Sequence, residues 1–180
     1  MCGMQTGDDC EAAVDTGATL LGFNFWPQSK RYISPSHATL LTETVPAPVL
    51  RVGLFVDASA DEVAHVLDTV HLDLLQFHGN ESPSFCRSFQ VPFMKAFRLR
   101  DAATLAQIPD YLDGTDTPFL VDAHVPGEMG GTGTLAPGSL AKQAADLSTR
   151  MFLAGGLNAT NVEAAIEEIG PWGVDVASGI

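Results

Sequence analysis

The chain has 180 residues, 46% of them hydrophobic and only 17% charged, and a formal net charge of −13. That length fits one domain, residues 1–180, with a sizeable core, and no run of about 18 apolar residues offers a membrane span. The acidity argues against nucleic acid or an anionic membrane as partner, so any anionic ligand must be held by local donors against the field of the whole molecule.

In chain order, the first predicted element is a helix capped by Thr6 and Asp9 and running through Ala18. The strand "TLLGFNF" (Thr19–Phe25) follows, then a weaker helix over Ser36–Thr44 and the strand "VLRVGLFV" (Val49–Val56). Ser59 and Glu62 form a capping-box pattern before "VAHVLDTV". The strand "LDLLQF" (Leu72–Phe77) leads to a helix opened by Ser82 with Pro83 at its first position. "PFMKAF" (Pro92–Phe97), a helix near Asp101–Ile108, "PFLVD" (Pro118–Asp122) and a helix near Leu140–Leu147 continue the alternation. "MFLAG" (Met151–Gly155), a helix opened by Asn158 and stopped at Gly170-Pro171, and "GVDVA" (Gly173–Ala177) complete it. The strands are apolar with little polar alternation, as parallel strands covered on both faces should be.

The pattern starts with a helix, whereas a closed barrel of strand–helix units starts with a strand. Cys2 is therefore expected at the C-terminal tip of a shortened first strand, and no eighth helix follows the last one. The fold expected is α/β, a (β/α)8 TIM barrel that is incomplete at both ends, with an open doubly wound sheet as the competing architecture. Active sites of such barrels lie at the C-terminal ends of the strands. Those positions are Cys2, the loop "WPQSKRYISP", Asp57, His78-Gly79, Arg98, Asp122, Gly155-Gly156 and Ser178-Gly179. The three cysteines, Cys2, Cys10 and Cys86, are odd in number and lack metal-ligand spacing. Together with the absence of a basic leader before an apolar stretch, this predicts reduced thiols, no metal site and a cytoplasmic location.

"CGM", "LGFNFWPQSKRYISP", "VGLFVD", "LQFHGNE", "KAFR", "FLVDA", "GGTGT", "LAGGLNATNV" and "GVDVASG" occur in this order along the whole chain. In that order they resemble the phosphoribosylanthranilate isomerase family, (β/α)8-barrel enzymes of tryptophan biosynthesis. The resemblance implies a cofactor-free Amadori rearrangement of a phosphosugar substrate, needing one acid and one base. It implies Cys2 as general base and Asp122 as general acid. A thiolate at Cys2 would gain from a helix start aimed at it, and desolvation at the end of an apolar strand would keep Asp122 protonated. It implies Arg31 as the holder of the anthranilate carboxylate, since a guanidinium fork suits a planar carboxylate. Gly155, Gly156, Ser178 and Gly179 are the implied phosphate site, and "GGTG" at 130–133 is a loop that closes over it. Each has a structural reading beside the functional one: an inert buried thiol, a loop-fixing aspartate, an exposed Lys30-Arg31 pair, tight turns that need glycine. Asp175 bonds a sugar hydroxyl, orients Ser178 or serves a structural network; His78 is a substrate contact or a satisfied core histidine.

The family begins with a strand bearing a lysine two places before the cysteine and continues past the last glycine into an eighth helix. The chain is accordingly expected to be a shortened form, monomeric or homodimeric. An inactive barrel remnant is one competing reading. A pentose-phosphate epimerase is another, for which only His78 and His124 offer metal-binding histidines.

Overall fold

The structure, a computed structural model, describes residues 1–122 and 137–177. The expectations for His124, Gly130–Gly133, Ser178 and Gly179 lie outside the described residues. The chain divides into two compact units, 1–93 and 94–180.

In the first unit, strands β1 (Leu20–Asn24), β2 (Leu50–Phe55) and β3 (Leu74–Phe77) alternate with helices α1 (Gly7–Asp15), α2 (Pro35–Thr42), α3 (Ala60–Thr69) and α4 (Pro83–Cys86). Both strand pairs, β1–β2 and β2–β3, are parallel. Parallel pairing forces each connection across one face, and the helices supply it. Local chemistry sets the helix starts. Thr6 with Asp9, and Ser59 with Glu62, form full capping boxes, and Ser82 caps α4 with Pro83 in its first turn. α2 starts earlier than expected because Ser34, not a later serine, caps it, while α1 stops three residues short of Ala18.

The second unit carries β4 (Phe93–Arg98), whose first residue lies at the boundary, followed by β5 (Phe119–Asp122), β6 (Met151–Ala154) and β7 (Gly173–Val174). They pair in parallel in that order. α5 (Ala102–Gln107) runs into a 3-10 turn at Ile108–Tyr111, and α6 (Pro137–Ala145) and α7 (Val162–Ile169) follow. Two expectations shift here. The regular helix α7 begins after Asn161, which makes no side-chain cap bond, while Asn158 opens the turn ahead of it, its side chain accepting Thr160 N–H (2.9 Å) and its carbonyl accepting Val162 N–H (3.0 Å). β7 is two residues long, although Asp175 N–H still donates to the Leu153 carbonyl at 2.8 Å. Gly170 closes α7 in the left-handed conformation (φ 69°), as its position predicted.

The second unit's core shows how strand alternation sorts the two faces. Phe97, Phe119, Val121, Met151 and Leu153 pack with Ile108, Leu140, Ala141, Ala144 and Ile169 from the helices. Residues at the intervening strand positions therefore point away from the helices. Lys95 lies on the helix side, 4% exposed, where it donates to the Ala96 carbonyl (3.0 Å) and stands over the rings of Phe97 and Tyr111.

The lower ends of β2 and β3 are tied by Arg51. Its backbone N–H and guanidinium reach one Asp73 oxygen at 2.8 and 3.1 Å, and its other nitrogens donate to the carbonyls of Thr42 (2.8 Å) and Val45 (3.0 Å). Burial works against the charge on Asp73, but the hydrogen bonds and the positive field of Arg51 outweigh it and hold the carboxyl below its ordinary value. A pKa lowered by folding contributes stability in full above the unfolded value of about 3.9 and loses it as pH falls through the folded value. Asp73→Asn is expected to cost about 1 kcal/mol near neutrality. In urea unfolding the cost should shrink as the pH is lowered below about 4; an equal cost throughout would show that the charge plays no part.

Candidate active site

The first four residues form a rung beside β1. The terminal ammonium donates to the Leu20 carbonyl at 2.9 Å, Gly22 N–H donates to the Met1 carbonyl at 2.8 Å, and Gly3 N–H and Met4 N–H both reach the Gly22 carbonyl at 2.8 and 3.0 Å. Cys2 is thereby paired in parallel with Gly22, at the tip of a strand-like segment as the helix-first count predicted. The approach is close. A Cβ on Gly22 would stand 3.0 Å from the Cys2 sulfur and 3.1 Å from its Cα. Glycine inside a strand marks such a contact, a signal present in "LLGFN" that the motif reading passed over.

Gly3 makes a second contact of this kind. It has φ 95°, and a Cβ there would collide with Cδ of Arg31 and sit 3.1 Å from its Nε. The half-buried Arg31 thus lays its aliphatic stem on the residue after Cys2. The Arg31 stem is thereby set one residue along the chain from Cys2. At the start of α1, Asp9 accepts from Gln5 N–H (3.1 Å) and Thr6 N–H (2.9 Å), bonds that lower its pKa, Gln5's contribution being the largest. An ionised carboxylate already sits on the end of the helix that was expected to favour a thiolate.

Asn24, Leu54 and Gln76 are in register across β1, β2 and β3 and share the Gly22 face. Phe77, on the opposite face, packs against Phe85 and Phe89 of the helical layer. His78 follows β3. Its Nδ1 lies 3.5 Å from Gln76 Nε2, and its N–H donates to the Phe55 carbonyl at 2.9 Å. Asp57 proves to be a loop fastener. It holds φ 50°, its carboxylate accepts from Asn80 N–H and the Asn80 amide, and its own N–H donates to Glu81 at 2.8 Å. The Glu81 side chain, 6% exposed, also receives Gly79 N–H at 2.9 Å. Glu81 therefore clamps the turns after β2 and β3, a role carried by contacts 24 and 2 residues away in sequence and invisible to a local motif.

In the second unit, Asp122 ends β5 level with Arg98 of β4 and Ala154 of β6. Asp175 follows Val174, which pairs with Leu153, so it stands level with Ala154. Asp122, Ala154 and Asp175 lie on the face opposite the helix-covered core, and both aspartates are half-buried. Gly155 and Gly156 turn the chain out of β6 with φ 99° and 66°, values that side chains with a Cβ resist. The amides of Asn158 and Asn161 hold the Gly156 carbonyl at 3.3 and 3.0 Å, leaving the turn fixed from below. Among the described residues no three His, Cys, Asp or Glu side chains are grouped to hold a metal ion, and no helix is long and apolar enough to cross a membrane.

A sequence model of N-(5'-phosphoribosyl)anthranilate (PRA) isomerase matches residues 1–180. The chain belongs to the N-(5'-phosphoribosyl)anthranilate isomerase family. It is 43% identical to the isomerase of Nitrosospira multiformis over 180 residues, all of this chain and 85% of that protein. The Chromohalobacter salexigens isomerase is also 43% identical over 180 residues, with 83% of its length covered. Among solved structures, the Thermotoga maritima isomerase superposes with a TM-score of 0.87 at 35% identity, over 100% of this chain and 87% of that one. A phosphoribosyl anthranilate isomerase in complex with reduced 1-(o-carboxyphenylamino)-1-deoxyribulose 5-phosphate gives a TM-score of 0.85 at 32% identity, over 99% and 86% of the two chains. Membership of the isomerase family makes the chain an enzyme, and the parallel strands and covering helices are those of the family's fold.

Cys2 is half-exposed, whereas Cys10 and Cys86 are buried, and burial raises the Cys10 pKa. Alkylation of the folded protein therefore reads Cys2 first. Gly22→Ala is expected to change that alkylation rate by about threefold or more, since an added Cβ must push the sulfur or the backbone of residue 2 aside. An unchanged rate would show that Gly22 does not set the thiol.

Proposed function

We propose that the chain converts N-(5-phosphoribosyl)anthranilate to 1-(2-carboxyphenylamino)-1-deoxyribulose 5-phosphate in tryptophan biosynthesis, within a single (β/α)8-barrel domain over residues 1–180. The observation that carries this reading is the family match over the whole chain, with Cys2 and Asp122 each at a strand end on the Gly22 face or the Ala154 face of its own unit.

The rearrangement needs a proton on the ring oxygen as the C1–O bond breaks. It then needs removal of the C2 proton to form the enol, which collapses to the ketose. Asp122 supplies the first proton and Cys2 takes the second. Arg31 holds the ring carboxylate, its planar fork matching two carboxylate oxygens. Gly155 and Gly156, with Ser178 and Gly179, receive the phosphate through backbone donors. Asp175 meets a sugar hydroxyl, and His78 lines the substrate's approach. No resident cofactor enters these steps. A cytoplasmic monomer or homodimer is the expected form; the Thermotoga maritima relative is dimeric, and monomers generated from it have been crystallised.

Adding the protein to the fluorescent anthranilate derivative should abolish its fluorescence; a stable signal would mark an inactive barrel. Cys2→Ser and Asp122→Asn should each lower kcat by about 10²–10⁴-fold, the usual weight of one acid–base group. Full activity in either variant removes that residue from the chemistry. Arg31→Ala should raise KM about 10–100-fold, the weight of a charge-assisted hydrogen bond, with a smaller change in kcat.

A further inference from the structure

Arg31 sits in an irregular segment between Pro27 and Pro35, where an arginine on its own would sample many positions. Here the segment is held from Gln5, whose Nε2 lies 3.4 Å from the carbonyls of Lys30 and Tyr32, and from the last residue of β1. The Asn24 side chain is 9% exposed, and both ends of its carboxamide are used. Its Oδ1 accepts Trp26 N–H at 2.9 Å, and its Nδ2 donates to Ser29 Oγ at 3.1 Å. Trp26 N–H can face only an acceptor, which fixes the amide's orientation and turns its nitrogen to the serine. Ser29 Oγ in turn accepts Arg31 N–H at 3.1 Å. The Asn24 carbonyl closes the far side of the loop by accepting Ile33 N–H at 2.9 Å. The backbone of Arg31 is thus referred to Asn24 through one hydroxyl, while its stem is referred to Gly3 by packing.

We propose that Asn24 is a positioning residue, with Ser29 as its relay, that aims Arg31 at the carboxylate on the substrate's aromatic ring. This rests on the role given to Arg31 above. Asn24 makes no contact with the reacting atoms. Without its amide, Trp26 N–H is free to turn to water and Ser29 Oγ, the acceptor of Arg31 N–H, loses the donor that holds it, so the guanidinium is spread over several positions and the loss falls on carboxylate recognition rather than on proton transfer.

The test compares binding of reduced 1-(o-carboxyphenylamino)-1-deoxyribulose 5-phosphate with binding of the same compound lacking the ring carboxylate, together with steady-state kinetics. Asn24→Ala should weaken the carboxylate-bearing compound about tenfold and leave the other within about twofold, with KM rising and kcat falling far less. In the Arg31→Ala background, Asn24→Ala should add nothing, as expected of two groups acting through one contact. Ser29→Ala, which removes only the relay hydroxyl on a half-exposed residue, should reproduce the selective loss and serves if Asn24→Ala folds poorly. Equal weakening of both compounds, or an additive loss in the Arg31→Ala background, overturns the positioning role and leaves Arg31 untouched. If Arg31→Ala itself weakens both compounds equally, the carboxylate role of Arg31 fails, and the aim assigned to Asn24 fails with it.

Discussion

The site in the first unit depends on a backbone rung, the pairing of residues 1–4 with Gly22. Four hydrogen bonds of 2.8–3.0 Å hold a segment that would otherwise fray, and Gly22, without a Cβ to crowd Cys2, lets it lie this close. Once the rung is set, the positions of Cys2 and Gly3 follow. Gly3, itself without a Cβ, lets the Arg31 stem lie flat on the chain. The absence of two side chains thus lets the Cys2 thiol lie against Gly22 and the stem of Arg31 against Gly3. That is a cheaper device than a polar network, since close packing of backbone and methylene groups leaves no buried donor to satisfy.

Parallel pairing supplies the other half of the design. In the second unit one strand face is committed to the helices through Phe119, Val121, Met151 and Leu153, and the other carries Asp122, Ala154 and Asp175 at the strand ends. A polar group on the helix side would have to be paired inside a packed core, and Lys95 shows what that requires: a carbonyl acceptor and two aromatic rings around one ammonium. The ends of the strands on the opposite face are half-buried, and the sheet's register fixes where the two aspartates stand.

The legible parts of the sequence were those whose cause is local. Thr6 with Asp9, and Ser59 with Glu62, announce helix starts within four residues, and the structure contains both boxes. The helix-first count located Cys2 at a strand tip. What escaped was set by partners far along the chain or was shared between similar residues. Asn24 read as one position of an apolar strand, because its partners lie in an irregular loop. Glu81 looked like part of "HGNE", although its oxygens bind the turn after β2. The regular part of α7 begins only at Val162, after a turn that Asn158 opens by accepting Thr160 N–H, while the amides of Asn158 and Asn161 both go to the Gly156 carbonyl.

The net charge gives these positional devices their weight. A chain at −13 repels a substrate carrying a phosphate and a carboxylate, and nine lysines and arginines do not reverse that field. Salt attenuates the repulsion beyond about 8–10 Å, so the decisive attraction must come from contact, where a paired guanidinium and aimed N–H groups act at short range. Contact energies fall steeply with misplacement, while long-range ones do not. An acidic enzyme of this kind therefore cannot rely on a broad basic surface to tolerate a loosely held arginine. The role proposed for Arg31 requires it to be fixed at both backbone and stem, and the contacts of Asn24, Ser29, Gln5 and Gly3 hold it there.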